Sequence, residues 1–533
     1  MTDVAYLSHR RAVATIIACW LGYLGLLWLL GELGLGTGLL VWPGGEDRHW
    51  VDLLQRGDAG VTARGLWALD HRNPLSPWWY NAFRPLILGS TNGLFLLRHG
   101  VGLALALASY ALVALWFGQR ARAFGCALGC LITVTTFNAY FDQIYWNFLG
   151  SLVCSILCVI AYLRHLRTPG RGHWLALSLV LWLLAVSTYT IQAGAIVVIA
   201  LAVWIAETRQ PIIRRIGAVA LATLPFFAVF VLFLLIWQTT SVPAEGLFIP
   251  PSLTRLVGSL RMGLYHEDVT LMGLVLGRSP NRFALAAAGV VLGIVVWILL
   301  PRLRLGERPP PQTGLIVLIA LGLSAPTLAV ETIGSMWTPG SRWRMIYQFT
   351  TPALYLGLLA LLATRLGAAM WRAGVAALFS AALILSFAHN ERQVAVTLAE
   401  RNLLRAIASD ATRLGVPKPL QYLVLLNNDT RWQSSDMLSQ TYARTWFLDD
   451  SPSFRLIPSF SLAGLQPGPP VIFLTDDKGV ADATVDRRTL PYSQIRVIRA
   501  EKGRYTVLDR LDKADLAGFR AEWQRDGAID LRR

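Results

Sequence analysis

Charge is scarce in this chain. Only 15% of its 533 residues are Asp, Glu, Lys or Arg, against about 25% in soluble domains. With 54% hydrophobic residues, that shortage excludes a water-soluble globular protein. Acids are scarcer than bases, 32 against 48, and the net charge is +16. In a soluble protein such a surplus would point to nucleic acid. Here the arginines flank apolar runs and have another use, so no nucleic-acid partner is expected. Cysteine is nearly absent. Cys19, Cys126, Cys130, Cys154 and Cys158 all lie in apolar runs. None falls in the long C-terminal region, which therefore has no disulfide framework. Cys126/Cys130 and Cys154/Cys158 are four apart and share a helix face. No His or acid stands near them in sequence, so they read as buried thiols rather than a metal site. A P-loop, an HExxH pair and a GxSxG with partners are also missing, and the chemistries they carry go with them. No internal repeat or low-complexity stretch occurs.

What the chain does have is long apolar runs, recurring from residue 12 to residue 387. About 20 apolar residues span the hydrocarbon core of a bilayer. Candidate spans are 12–31, 98–117, 123–137, 147–163, 174–188, 191–206, 216–237, 283–300, 313–330, 346–363 and 373–388. The first is longer than a signal-peptide core and lacks a small-residue cleavage site, so it is expected to be retained. The 20 tryptophans suit rings placed at bilayer interfaces.

Alternate connections differ sharply. One set holds Arg10, Arg11, Arg120, Arg122, Arg164, Arg167, Arg171, Arg209, Arg214, Arg215, Arg302, Arg304, Arg308, Arg365 and Arg372, against the acids Asp3, Glu207 and Glu307. The positive-inside rule makes this set cytoplasmic. The opposite set collects acids and tryptophans and is the expected working face. The fold class is therefore mainly α: a polytopic helical membrane protein of about 11 spans with a small extracytoplasmic C-terminal α/β domain. Residues 1–388 form the transmembrane domain, with an amphipathic first outer loop at about 32–97, and 389–533 the soluble domain. Within the latter, YLVLLNN, PPVIFLTDD and SQIRVIRAEKGRYTVLD read as strands bounded by turn residues. The N-terminus is expected inside and the C-terminus outside.

The first outer loop opens with GGEDRHWVDLL, residues 44–54. Glu46 and Asp47 head it, with His49, Asp52 and Asp58 close behind. Such a cluster supplies a general base, binds a divalent cation through oxygen ligands, or starts a solvated helix. The same loop holds WWYNAFRPL, residues 78–86, with Tyr80, Arg84 and Pro85. Later outer segments add further polar groups. GSRWRMIY places Arg342 and Arg344 against the positive-inside bias, either to snorkel or to grip an anion. PPSLTRLVGSLRMGLYHEDV has helical apolar spacing and ends in Tyr265, His266, Glu267 and Asp268. That ending is a second acidic cluster or a helix end in water. Tyr189 and Gln192 in one tight turn, and Asp142 and Tyr145 in another, line a pocket or pack at the interface. Glu32 is a rival to Glu46.

An acidic pair after the first span, followed some 35 residues later by an aromatic-rich segment with Arg-Pro, resembles the type C glycosyltransferase superfamily. These are multi-span enzymes that use polyprenyl-phosphate-linked sugars. The resemblance covers the topology, this loop and the C-terminal domain. It implies Glu46 or Asp47 as the essential acid, and a donor phosphate held by Arg342, Arg344 or Arg84. His49, Tyr80, Tyr189, Gln192, Tyr265, His266, Glu267 and Asp268 are then the candidate substrate pocket. The implied partners are a polyprenyl-phosphate sugar donor, a glycan or lipid acceptor and the lipid bilayer. The implied place is the outer face of a bacterial cytoplasmic membrane. A divalent cation is left open as cofactor. A lipid or sugar transporter or flippase, and a polymerase or ligase using a diphosphate-linked donor, are the alternatives.

Overall fold

A computed structural model describes residues 7–40, 75–134, 146–168, 170–189, 193–240, 279–302, 313–333 and 347–410, with short strands between 421 and 508. Among these, the helices are α1 (His9–Glu32), α2 (Ser76–Ala82), α3 (Arg84–Gly89), α4 (Thr91–Phe117), α5 (Arg122–Val134), α6 (Trp146–Arg167) and α7 (Gly172–Thr188). Then come α8 (Ala195–Ala206), α9 (Ile212–Thr240), α10 (Arg282–Arg302), α11 (Thr313–Ile333), α12 (Tyr347–Leu366) and α13 (Ala368–Asp410). Each expected apolar stretch coincides with one of the longer helices. Six are long and apolar enough to cross a membrane: His9–Glu32, Asn92–Phe117, Leu149–Arg167, Ile212–Phe233, Arg282–Pro301 and Ala368–Ala395. Gly172–Thr188, Ala195–Ala206, Gly314–Ala325 and Thr351–Ala363 are shorter apolar helices.

The chain divides into two compact units. The first holds Met1–Leu39, Asp58–Phe83 and Phe95–Val394. Its surface is unlike that of a soluble protein: Ile213 is 80% exposed, Phe283 78% and Leu221 74%. At about 25 cal/mol per Å² such rings and branched chains are costly in water. In lipid they are at no disadvantage, so close fit must hold the helices together.

Small residues provide that fit. A side chain at Gly129 of α5 would meet Ile16 of α1 at 2.6 Å and the Ala106 carbonyl of α4 at 3.2 Å. Gly289 and Gly293 of α10 likewise close on Ile384 and Ser380 of α13. Helix α1 runs antiparallel to α4, since His9 Nδ1 meets the Tyr110 hydroxyl at 2.9 Å and Trp20 Nε1 donates to the His99 carbonyl at 3.0 Å. Tyr23 of α1 also stacks on Phe387 of α13, ring centres 6.3 Å apart and planes 7° from parallel. Helices α6 and α7 form a close antiparallel pair, with the Ser178 hydroxyl donating to the Cys158 carbonyl at 2.9 Å.

One end of this bundle carries arginine–tryptophan pairs. Arg167 Nη2 donates to the Trp116 carbonyl at 3.4 Å. Arg164 lies 5.0 Å from the Trp174 ring centre, and Arg215 3.8 Å from that of Trp204. Guanidinium groups resting on indole faces suit a headgroup boundary.

The second unit holds Leu40–Gly57, Arg84–Leu94 and Ala395–Arg533. Its four-stranded sheet has the order β2-β1-β6-β7, with β1 (Gln421–Asn427) parallel to β2 (Phe454–Pro458) and to β6 (Ile495–Glu501). β6 and β7 (Arg504–Leu508) pair antiparallel, Glu501 opposite Arg504. β3 (Phe473–Leu474), β4 (Val480–Asp482) and β5 (Arg488–Leu490) form a separate antiparallel sheet. In the same unit Ser90 caps α4, its hydroxyl accepting from the Gly93 N–H at 3.0 Å.

Helix α13 runs unbroken across residue 388, from Ala368 to Asp410, 43 residues in all. The switch from apolar to charged composition changes what surrounds a helix, not whether it forms. AERNLLRAI consists largely of good helix formers, and no proline interrupts α13.

Candidate functional site

Several described segments meet at the end of the bundle opposite the arginine–tryptophan pairs. The first is α2. Its Pro77 sits at the start, where a missing N–H costs nothing. The Leu75 N–H donates to the Ser187 carbonyl at 3.1 Å, and Trp79 Nε1 to the Thr188 hydroxyl at 2.8 Å. This docks the aromatic part of the segment between α1 and α4 on the end of α7. Tyr80 is buried there, while Trp78 stays exposed. Tyr189 is also buried and caps α7 in an extended conformation. The structure thus brings together the segments of two candidate pocket residues, Tyr80 and Tyr189.

The other candidates are less connected. Arg84 is half-buried at the start of α3, in the second unit. Glu32 is the exposed last residue of α1. Glu46, Asp47, His49, Gln192, Tyr265, His266, Glu267, Asp268, Arg342 and Arg344 lie outside the described residues, as do Asp142 and Tyr145. Among the described residues no group of three or more His, Cys, Asp or Glu side chains is arranged to hold a metal.

At this same end the structure shows a polar node that the sequence reading did not single out. Beyond α1 the chain turns back through Gly34 and Gly36, both with positive φ, a conformation open to glycine. The Thr37 hydroxyl donates to the Leu27 carbonyl at 2.7 Å, folding this turn over the helix end. Gly38 then pairs with Asn390 of α13 through two bonds. The Gly38 N–H donates to Asn390 Oδ1 at 2.8 Å, and Asn390 Nδ2 donates to the Gly38 carbonyl at 2.9 Å.

Next to it, the Glu391 carboxylate is 3% exposed. Oε1 accepts from the Asn281 N–H at 3.3 Å and from Asn281 Nδ2 at 2.8 Å, and Oε2 accepts from the Ser279 hydroxyl. A side chain at Gly36 would meet Glu391 Cγ at 3.2 Å. A carboxylate removed from water is tolerated when donors satisfy its oxygens. Three donors from one short segment do so here.

Arg98 and His99 of α4 are buried as well, the His99 ring lying 4.2 Å from Phe95 and 5.7 Å from Tyr23. The available signal was in plain sight: HNE at 389–391 and RH at 98–99 each abut an apolar run. Charged composition alone reads such residues as solvated helix ends.

No family model matches the chain, and no curated protein matches it. Among solved structures, it is similar to ArnT from Cupriavidus metallidurans in the apo state. The identity is 15%, covering 85% of this chain and 90% of that one, with a TM-score of 0.34.

Proposed function

We propose that the chain is a membrane glycosyltransferase of the type C kind. It moves a sugar from a polyprenyl-phosphate donor to a glycan or lipid acceptor at the outer face of a bacterial cytoplasmic membrane. One observation carries this reading: polarity is divided between the two ends of an apolar bundle. Arginine–tryptophan pairs hold one end. The docked outer-loop helix and the Glu391 node hold the other. Among the buried ionisable side chains, Glu391 sits at that second end beside Gly36, whereas His99 lies deeper, against Trp20 and Tyr23 near the middle of α1. Transport wants ionisable groups at mid-depth, often where helices are broken. The rim position of Glu391 and of the docked loop helix supports chemistry at the interface instead.

The reaction forms a bond from an acceptor oxygen to the anomeric carbon and breaks the bond from that carbon to the donor phosphate. Glu46 or Asp47 takes the acceptor proton as the bond forms. The lipid phosphate leaves with the electron pair and an added negative charge. Arg342, Arg344 or Arg84 grips its oxygens, since a guanidinium fork matches phosphate geometry. Tyr80, Tyr189, Gln192, His49 and the 265–268 cluster hold the sugar and the acceptor. With this orientation the N-terminus is cytoplasmic and residues 389–533 follow on the outside.

The test is transfer by protein reconstituted with a polyprenyl-phosphate sugar and envelope lipid acceptors. Glu46→Gln or Asp47→Asn should lower turnover by roughly 10²–10⁴-fold, the usual contribution of a positioned acid or base. Full activity in the double variant overturns the assignment.

A further inference from the structure

We infer that Asn390 and Glu391 are positioning residues that lock the roots of the two outer segments carrying the candidate acids. The inference rests on the function proposed above for what those segments do, but the lock itself rests on geometry alone. Gly38, held by Asn390, stands six residues before Gly44, where the 44–54 segment begins. Ser279 and Asn281, held by Glu391, stand shortly after Tyr265–Asp268. Two consecutive residues of one helix therefore fasten the start of one acid-bearing connection and the end of the other.

The form of the contacts supports a positioning role. Asn390 bonds only main-chain groups of Gly38 in the contacts above, both donor and acceptor, and so fixes backbone direction rather than a side chain. Glu391 engages both a main-chain and a side-chain donor of Asn281 as well as the Ser279 hydroxyl. Gly36 completes the arrangement, since its missing side chain leaves the space the Glu391 stem occupies. Charge is not needed for any of this. An amide at position 391 keeps one acceptor for Asn281 and offers a donor to the Ser279 oxygen. A general base has no such tolerance.

That difference sets the experiment. Hydrogen exchange of the full-length protein in nanodiscs is followed for peptides covering residues 33–40 and 276–284, and turnover is measured on the folded, monodisperse fraction. Asn390→Ala and Glu391→Ala should each remove protection from the segment they hold. Both should also lower turnover at saturating donor by about 10²-fold, the scale set by a misplacement of about 1 Å, with little change in KM. Glu391→Gln should keep both protection and turnover.

If Glu391→Ala does not fold, Asn281→Ala, which removes one bond, carries the same measurement. Unchanged protection in the alanine variants overturns the lock. Preserved protection with lost turnover in Glu391→Gln makes Glu391 a reacting group and overturns the positioning role. Exchange needs no donor, so a failure of the lock is distinguishable from a failure of the glycosyltransferase reading.

Discussion

Gly194→Ala tests whether close helix approach holds the bundle together. Gly194 precedes α8 with φ −61 and ψ −18, a conformation any residue adopts, so backbone strain plays no part. Its absent side chain points at the main chain of Leu323 in α11. A Cβ built there would lie 2.6 Å from the Leu323 carbonyl carbon and 2.7 Å from its Cα. Carbon atoms prefer about 3.5–4.0 Å, so α8 and α11 must separate by about 1 Å. The neighbouring approach loosens with it, where a Cβ at Gly322 of α11 would lie 3.1 Å from Val198 of α8. Overpacking of this kind costs about 1–3 kcal/mol. Here the obstacle is backbone rather than a movable side-chain end, which places the cost at the upper part of that range. Gly150 in α6 is the control, because a Cβ there meets nothing within 4 Å. Gly150→Ala should gain up to about 1 kcal/mol of helix propensity. Thermal unfolding of both variants in detergent, with intrinsic tryptophan fluorescence as readout, gives the comparison. Gly194→Ala should melt below the parent and Gly150→Ala at or above it. Equal melting of the two variants would refute the argument that main-chain proximity governs this interface.

Trp182 is fully buried between α7 and α9, with Nε1 donating to the Phe226 carbonyl at 3.1 Å. Trp182→Phe should cost about 0.5–1.5 kcal/mol for the bond and Trp182→Ala about 3–5 kcal/mol, read from the same melts. Alkaline phosphatase fused after residue 400 should be active if the C-terminal part is extracytoplasmic, whereas an active cytoplasm-only reporter there would invert the topology. Arg342 and Arg344 are two apart and, on a helix, point about 200° from each other. Only one of Arg342→Ala and Arg344→Ala should weaken binding of a polyprenyl-phosphate sugar, by about 1.5–3 kcal/mol. Unchanged affinity in both would move the phosphate to Arg84.

Composition and periodicity determined by themselves that this is a helical membrane protein. Among the described residues each expected apolar run is helical, because in lipid the backbone must satisfy its own hydrogen bonds, and the runs are written in consecutive residues. The alternation of arginine-rich and acid-rich connections is equally local, and it pairs the helix ends without any contact being known. The strands β1, β6 and β7 fall where YLVLLNN and SQIRVIRAEKGRYTVLD expect them, each carrying its own apolar run. FRLIP, VAD and RTL are too short to stand out, and their pairing partners make them strands.

The polar node belongs to tertiary structure alone. Gly38 and Asn390 are 352 positions apart, and Ser279 and Glu391 112. Nothing near either partner in the chain announces the other. In sequence, HNE beyond an apolar run is a helix entering water. Only the folding of two remote segments onto α13 removes that water and turns a solvated carboxylate into a buried anchor.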